Sequence, residues 1–106
     1  SGLQYEVITM GTGPKPTATD VVKVHYHGSF PGGEVFDSSV DRGEPVEMPV
    51  GRWIPGFVEA LQMMPKGSKW KLAIPSDLAY GPSGNGRIPA NSTLLFDLEL
   101  IDVLKK

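Results

Sequence analysis

Few residues in this chain have types and spacing that could do chemistry. Asp37 stands beside Phe36, a short way after Tyr26, and Arg42 follows it. A carboxylate among aromatics can be a polar point set at an apolar pocket, or half of an Asp–Arg pair closing a loop; spacing alone favours neither. His25 and His27 stand at i and i+2, which on a strand puts both on one face and would suit metal ligation. No third ligand is adjacent and Lys23 shares that face, so two solvent-side histidines and no metal are expected. Gly81-Pro82-Ser83-Gly84-Asn85-Gly86 has the glycines of a phosphate cradle. It lacks the Gly-Lys-Ser/Thr ending and no helical pattern follows, so it reads as a loop. Asn91-Ser92-Thr93 matches a glycosylation sequon, a pattern too common to carry weight. No Gly-x-Ser-x-Gly elbow presents a serine nucleophile. The chain has no Cys, which removes thiolate nucleophiles, disulfides, Cys-ligated zinc and iron–sulfur clusters together.

The elements that must position these residues follow from periodicity. Residues 21–29 alternate, with Val22, Val24 and Tyr26 facing one way and Lys23, His25 and His27 the other, as on a half-buried strand. Residues 3–8 read as a short strand. Pro31-Gly32-Gly33 is a turn that sends residues 34–37 back as a hairpin partner. Residues 46–50 form another short strand, and Pro49 marks it as an edge or a bulge. One segment has helical spacing: Pro55 opens it, and Phe57, Ala60, Leu61 and Met64 fall at i, i+3, i+4 and i+7 before Pro65 and Gly67 end it. Trp70, Leu72 and Ile74 alternate with Lys69 and Lys71. Leu94, Phe96, Leu98 and Leu100 alternate with Asp97 and Glu99. The sum is α+β: an antiparallel sheet of about five strands, its twist wrapping it around one short helix.

Composition agrees. The chain has 106 residues, a single domain by size, spanning 1–106. Its 13 Gly and 10 Pro are many, but a 40 % hydrophobic share argues for turns in a packed domain rather than disorder. A formal net charge of -2 leaves no basic footprint for nucleic acid. No apolar run approaches the roughly 18 residues of a membrane span, and no signal peptide opens the chain. A start at Ser1 rather than Met is expected of a processed or excised segment. The inward aromatics Tyr26, Phe36, Phe57 and Phe96 should meet, either as a plain aromatic core or as an apolar cleft floored by Phe57.

Val24-His25-Tyr26-His27-Gly28 and Phe36-Asp37-Ser38-Ser39 resemble the FKBP-type peptidyl-prolyl isomerases. Arg42-Gly43, Ile54-Pro55-Gly56-Phe57, Leu78-Ala79-Tyr80-Gly81, Ile88-Pro89 and the run from Ser92 to Leu100 continue the likeness in family order, over essentially the whole chain. The opening SGLQYEVI and the stretch IPGFVEALQMMPKGSKWKL are similar to the bacterial macrophage-infectivity-potentiator branch.

The resemblance implies a five- to six-stranded antiparallel sheet wrapped around one short α-helix. It implies a pocket of Tyr26, Phe36, Val46, Ile54, Phe57, Ile88 and Phe96, with Trp53 at the rim. Asp37 matches the pocket carboxylate, and the Tyr80 hydroxyl and the Ile54 backbone N–H match its donors. The implied activity is isomerisation of X-Pro bonds without cofactor or metal. Its partners would be proline-containing peptides, unfolded or client proteins, and macrolide inhibitors such as rapamycin, with no nucleic acid and no membrane. The implied state is a monomer as this chain, or a dimer where an upstream helical segment is present. The compartment stays open between cytoplasm and, given an export signal, bacterial periplasm or cell surface. Three positions depart from the family pattern: Phe57 replaces the usual Trp floor, Arg87 an apolar residue, and Ala90 a second proline. The rival classes are a Pro-peptide-binding module without turnover, and a hydrolase using Asp37 that would lack a nucleophile and a base.

Overall fold

β2 (Val21–Ser29) is the centre of the molecule, because every second residue from Val22 to Gly28 is buried while the residues between are half-buried. This was established from a computed structural model that describes residues 2–79, 88 and 92–104. The remaining strands are β1 (Gln4–Thr9), β3 (Val35–Ser38), β4 (Val46–Pro49), β5 (Lys69–Ile74) and β6 (Leu94–Leu104). They make one six-stranded sheet of order β1-β5-β6-β2-β3, with β4 also on β2, and every pairing is antiparallel. The expected strands are present, most ends displaced by a residue or two, while the last strand runs four residues past Leu100 to Leu104. The strand expected over 46–50 stops at Pro49, and Val50 turns inward into a 3-10 turn, Val50–Arg52, where it is fully buried.

β3 and β4 share one edge of β2. β3 pairs with His27–Ser29 and β4 with Val21–Val24. Between them the chain leaves the sheet for a single helical turn, α1 (Ser39–Arg42), which the periodicity did not foretell. Ser38 caps it, its Oγ accepting the Asp41 N–H, and Gly43 closes it with φ 76°. This excursion would orphan the backbone of Tyr26, and a buried unpaired N–H is costly. Ser39 fills the gap: its Oγ accepts the Tyr26 N–H at 2.8 Å and lies 3.2 Å from the Tyr26 carbonyl oxygen. Ser39→Ala should therefore destabilise the fold by about 1–3 kcal/mol, the cost of leaving a buried donor unmet. Urea denaturation checks this, and an unchanged midpoint would refute the stitching role.

α2 (Pro55–Met63) crosses the concave face. Pro55 supplies the preset φ of the first turn, and Phe57, Ala60 and Leu61 are buried against the sheet, followed by Met64. Gly56 lets the helix start approach β5, since a Cβ there would stand 2.6 Å from Ile74 Cγ2. The core is the expected set, Val22, Val24, Leu72, Ile74, Leu94, Leu98 and Leu100 from the sheet meeting the helix stripe. No helix among the described residues is long and apolar enough to cross a membrane.

Candidate active site

The inward aromatics do meet, and they surround a cavity of about 290 Å³. Phe57 comes from α2, Tyr26 from β2, Phe36 from β3 and Phe96 from β6; Trp53 and Ile54 close the side where the 3-10 turn runs into α2. Phe57 and Phe96 have ring centroids 4.5 Å apart at 72°, and Phe36 meets Phe96 edge-on at 5.5 Å and 89°. Tyr26 stands edge-on to Phe57 at 6.2 Å, and Trp53 leans on Phe57 at 5.2 Å. Edge-to-face contacts fix ring planes as well as bury area. Gly28 makes this possible: a Cβ there would lie 2.7 Å from both Phe36 Cζ and Phe96 Cε1. Phe57 is 1 % exposed, packed into the core cluster below as well as against the aromatic walls of the cavity.

One edge of the cavity is polar. Tyr26 OH donates to Asp37 Oδ2 at 2.7 Å, Arg42 Nη1 pairs with Asp37 Oδ1, and Arg42 Nη2 donates to Tyr26 OH at 3.2 Å. The guanidinium carbon lies 5.8 Å from the centre of the Tyr26 ring, within cation–π range. α1 exists, in effect, to bring Arg42 back over β3. Both sequence readings of Asp37 hold at once: it is paired to Arg42, and it sits at an aromatic cavity. Burial opposes ionisation of Asp37, but the hydrogen bonds from Tyr26 and Arg42, with the charge of Arg42, outweigh it, and its carboxyl titrates below the usual value. Burial, supported by the Asp37 carboxylate, pushes the Tyr26 phenol up, so at neutral pH it remains a donor.

Ile54 is the N-cap of α2, and its carbonyl takes the Phe57 and Val58 N–H groups. Its own N–H meets no partner among the described residues, as the first amides of a helix commonly do not. The buried Trp53 Nε1 also lacks a partner among the described residues. Ile88 is buried in the core cluster, and Val46 is half-buried on β4, packed against that cluster. Tyr80 lies outside the described residues, as do the 81–86 loop and Asn91. Two cavity residues were missed by sequence reasoning: Met48 on β4 and Arg52 at the end of the 3-10 turn. The aromatic pattern gave no signal for either; only the β4 register and the turn bring them there.

The histidines are not simply solvated. His25 Nδ1 lies 2.9 Å from Ser39 Oγ and His27 Nδ1 2.9 Å from Ser38 Oγ, so each supports α1. Among the described residues no three His, Asp or Glu side chains group as a metal site. A second cavity, about 360 Å³, lies on the opposite face of the sheet along the cross-strand row Glu6, Lys71, Asp97 and His27. It is larger, but it holds none of Asp37, Ile54 and Phe57.

Residues 13–101 match the FKBP-type peptidyl-prolyl cis-trans isomerases. The chain belongs to that family. It is 59 % identical over 105 residues to the FKBP-type peptidyl-prolyl cis-trans isomerase FkpA of Aeromonas hydrophila, covering 99 % of this chain and 39 % of that protein. It is 51 % identical to the outer membrane protein MIP of Legionella longbeachae, covering 99 % of this chain and 46 % of that one. The crystal structure of FkpA from Escherichia coli superposes with TM-score 0.95 at 47 % identity, covering 98 % of this chain and 49 % of that one. The chain thus spans half or less of the length of each of these relatives. The six-stranded FKBP fold and the macrophage-infectivity-potentiator likeness, both expected from the motifs, stand.

Proposed function

We propose that this chain catalyses cis–trans rotation about X-Pro peptide bonds in the cavity over Phe57. The observation that carries the reading is the joining of an aromatic cavity to the Tyr26–Asp37–Arg42 edge and an Ile54 N–H that has no partner among the described residues. The family membership supports it. The barrier to amide rotation is about 18–20 kcal/mol, and uncatalysed X-Pro isomerisation takes tens to hundreds of seconds. Planar resonance puts negative charge on the carbonyl oxygen; at the twisted transition state that charge is lost. Water stabilises the planar form more, so a dry cavity narrows the gap, and each 1.4 kcal/mol is about ten-fold in rate. The proline ring rests on Phe57 within the walls of Tyr26, Phe36 and Phe96. The Ile54 N–H anchors the peptide backbone, and Tyr80 holds a carbonyl. Asp37 fixes the Tyr26 hydroxyl and needs no proton transfer, since no bond is made or broken. Catalysis is differential binding of the twisted conformer.

The substrates are X-Pro peptides with an apolar X and proline-containing segments of unfolded or client proteins. Macrolides such as rapamycin, whose proline-like ring suits the same cavity, act as inhibitors. Exchange NMR on a short Leu-Pro peptide tests this. Accelerated exchange that survives exhaustive chelation is expected; binding without acceleration would leave a peptide-holding module instead.

A further inference from the structure

Arg52 brings to this site a charge that no carboxylate among the described residues matches. It ends the 3-10 turn Val50–Arg52, two residues before Ile54, and its exposed side chain stands in the cavity wall. The turn is pinned: Val50 N–H donates to Asp20 O at 2.9 Å, Gly51 N–H to Ala18 O at 3.2 Å and Trp53 N–H to Val50 O at 3.2 Å. The backbone of Arg52 is thereby held, while its guanidinium makes no ion pair among the described residues. The other charge in the wall, Asp37, is engaged by Arg42 and Tyr26. The side chain of buried Asp20 accepts the Thr17 N–H. Among the described residues Arg52 forms no ion pair, the two present being Arg42–Asp37 and Lys66–Asp102. Residues 80–87 and 89–91 contain neither Asp nor Glu, so that stretch holds no carboxylate either.

We propose that Arg52 makes this site select peptides carrying an acidic side chain beside the X-Pro unit. The inference rests on the isomerase reading and adds a substrate class to it. A peptide whose backbone is held at the Ile54 N–H runs its flanking residues past the same turn, within the field of a guanidinium that meets no carboxylate among the described residues. Arg presents a planar fork of donors suited to a carboxylate. The pair would be exposed, so its effect is moderate and salt-dependent: about two- to five-fold in kcat/KM at low ionic strength, fading as the Debye length shortens.

The test uses three peptides that differ only in one residue, Glu, Gln or Lys, placed in turn before X and after Pro. Turnover is measured at low and high salt for the parent, Arg52→Glu and Lys69→Glu. Lys69 is exposed on the outer face of β5, so its reversal changes net charge equally without touching the cavity. The parent is expected to prefer Glu over Gln over Lys at one of the two positions, with the preference collapsing at high salt. Arg52→Glu should invert the order, and Lys69→Glu should keep it. A parent that treats the three alike at both positions, or a Lys69→Glu shift as large as that of Arg52→Glu, overturns the proposal. Failure to turn over even the Gln peptides would instead remove the isomerase reading, and the proposal with it.

Discussion

Asp37→Ala should lower kcat/KM for a Leu-Pro peptide by about ten-fold or more while the fold survives. A lost charge-assisted hydrogen bond is worth about 1.5–3 kcal/mol, which spans roughly ten- to more than hundred-fold. Asp37 holds two partners, Tyr26 OH and Arg42, but its side chain is 43 % exposed, so the lower end of that range applies. Without it the Tyr26 hydroxyl loses its acceptor and the guanidinium its anchor, and the wall facing the proline ring loosens. The fold should tolerate the change because Asp37 is not part of the core cluster. The pH profile gives an independent check. The carboxyl titrates below its ordinary value in the folded protein, so the network is fully present above the ordinary carboxylate value and is lost only as pH falls through the depressed one. Activity should therefore be flat from neutral pH down to about 4, with no limb in the usual carboxylate range. An Asp37→Ala protein as active as the parent would remove Asp37 from the site; an acid limb in the ordinary carboxylate range, absent from Asp37→Ala, would show that the Arg42 pair does not hold its charge.

What periodicity could reveal was the frame. The alternation of Val22, Val24 and Tyr26, the stripe through Phe57, Ala60 and Leu61, and the run from Leu94 to Leu100 each answer to one strong burial pattern, and each became the expected element. α1 escaped because one helical turn has no stripe: Ser38, Asp41 and Gly43 are its cap, acid and stop, but such residues also fill ordinary turns. With α1 hidden, β3 and β4 could not be seen as one edge interrupted by a detour, nor Ser39 as the group that replaces the missing ladder bonds. The same detour decides the ambiguity at Asp37, since only a turn between β3 and β4 brings Arg42 onto both its carboxylate and Tyr26 OH. Arg52 and Met48 were invisible for a related reason: their place in the wall comes from β4 pairing and a 3-10 turn hung on Ala18 and Asp20, contacts with no local periodicity.

Phe57 should separate binding from stability. Truncating a buried Phe costs about 3–5 kcal/mol, a large part of the 5–15 kcal/mol that hold a typical domain together. Phe57 is 1 % exposed and supports Tyr26, Trp53 and Phe96 at once, so Phe57→Ala should lower the urea midpoint sharply and weaken macrolide binding with it. Phe57→Trp works in the other direction. Phe57 lines the cavity, and an indole extending into it would offer a proline-like ring a wider floor. At roughly 25 cal/mol per Å², a few tens of Å² of added apolar contact is worth about 1 kcal/mol, or several-fold in affinity. The Trp protein should bind rapamycin several-fold more tightly than the parent, at near-parental stability. Calorimetric titration of the parent and Phe57→Trp, with urea curves for all three proteins, decides it. Equal affinities would mean that the floor contributes little contact and that Tyr26, Phe36 and Phe96 hold the ring between them. A stable Phe57→Ala protein would mean that the aromatic walls, rather than the helix stripe, keep α2 on the sheet.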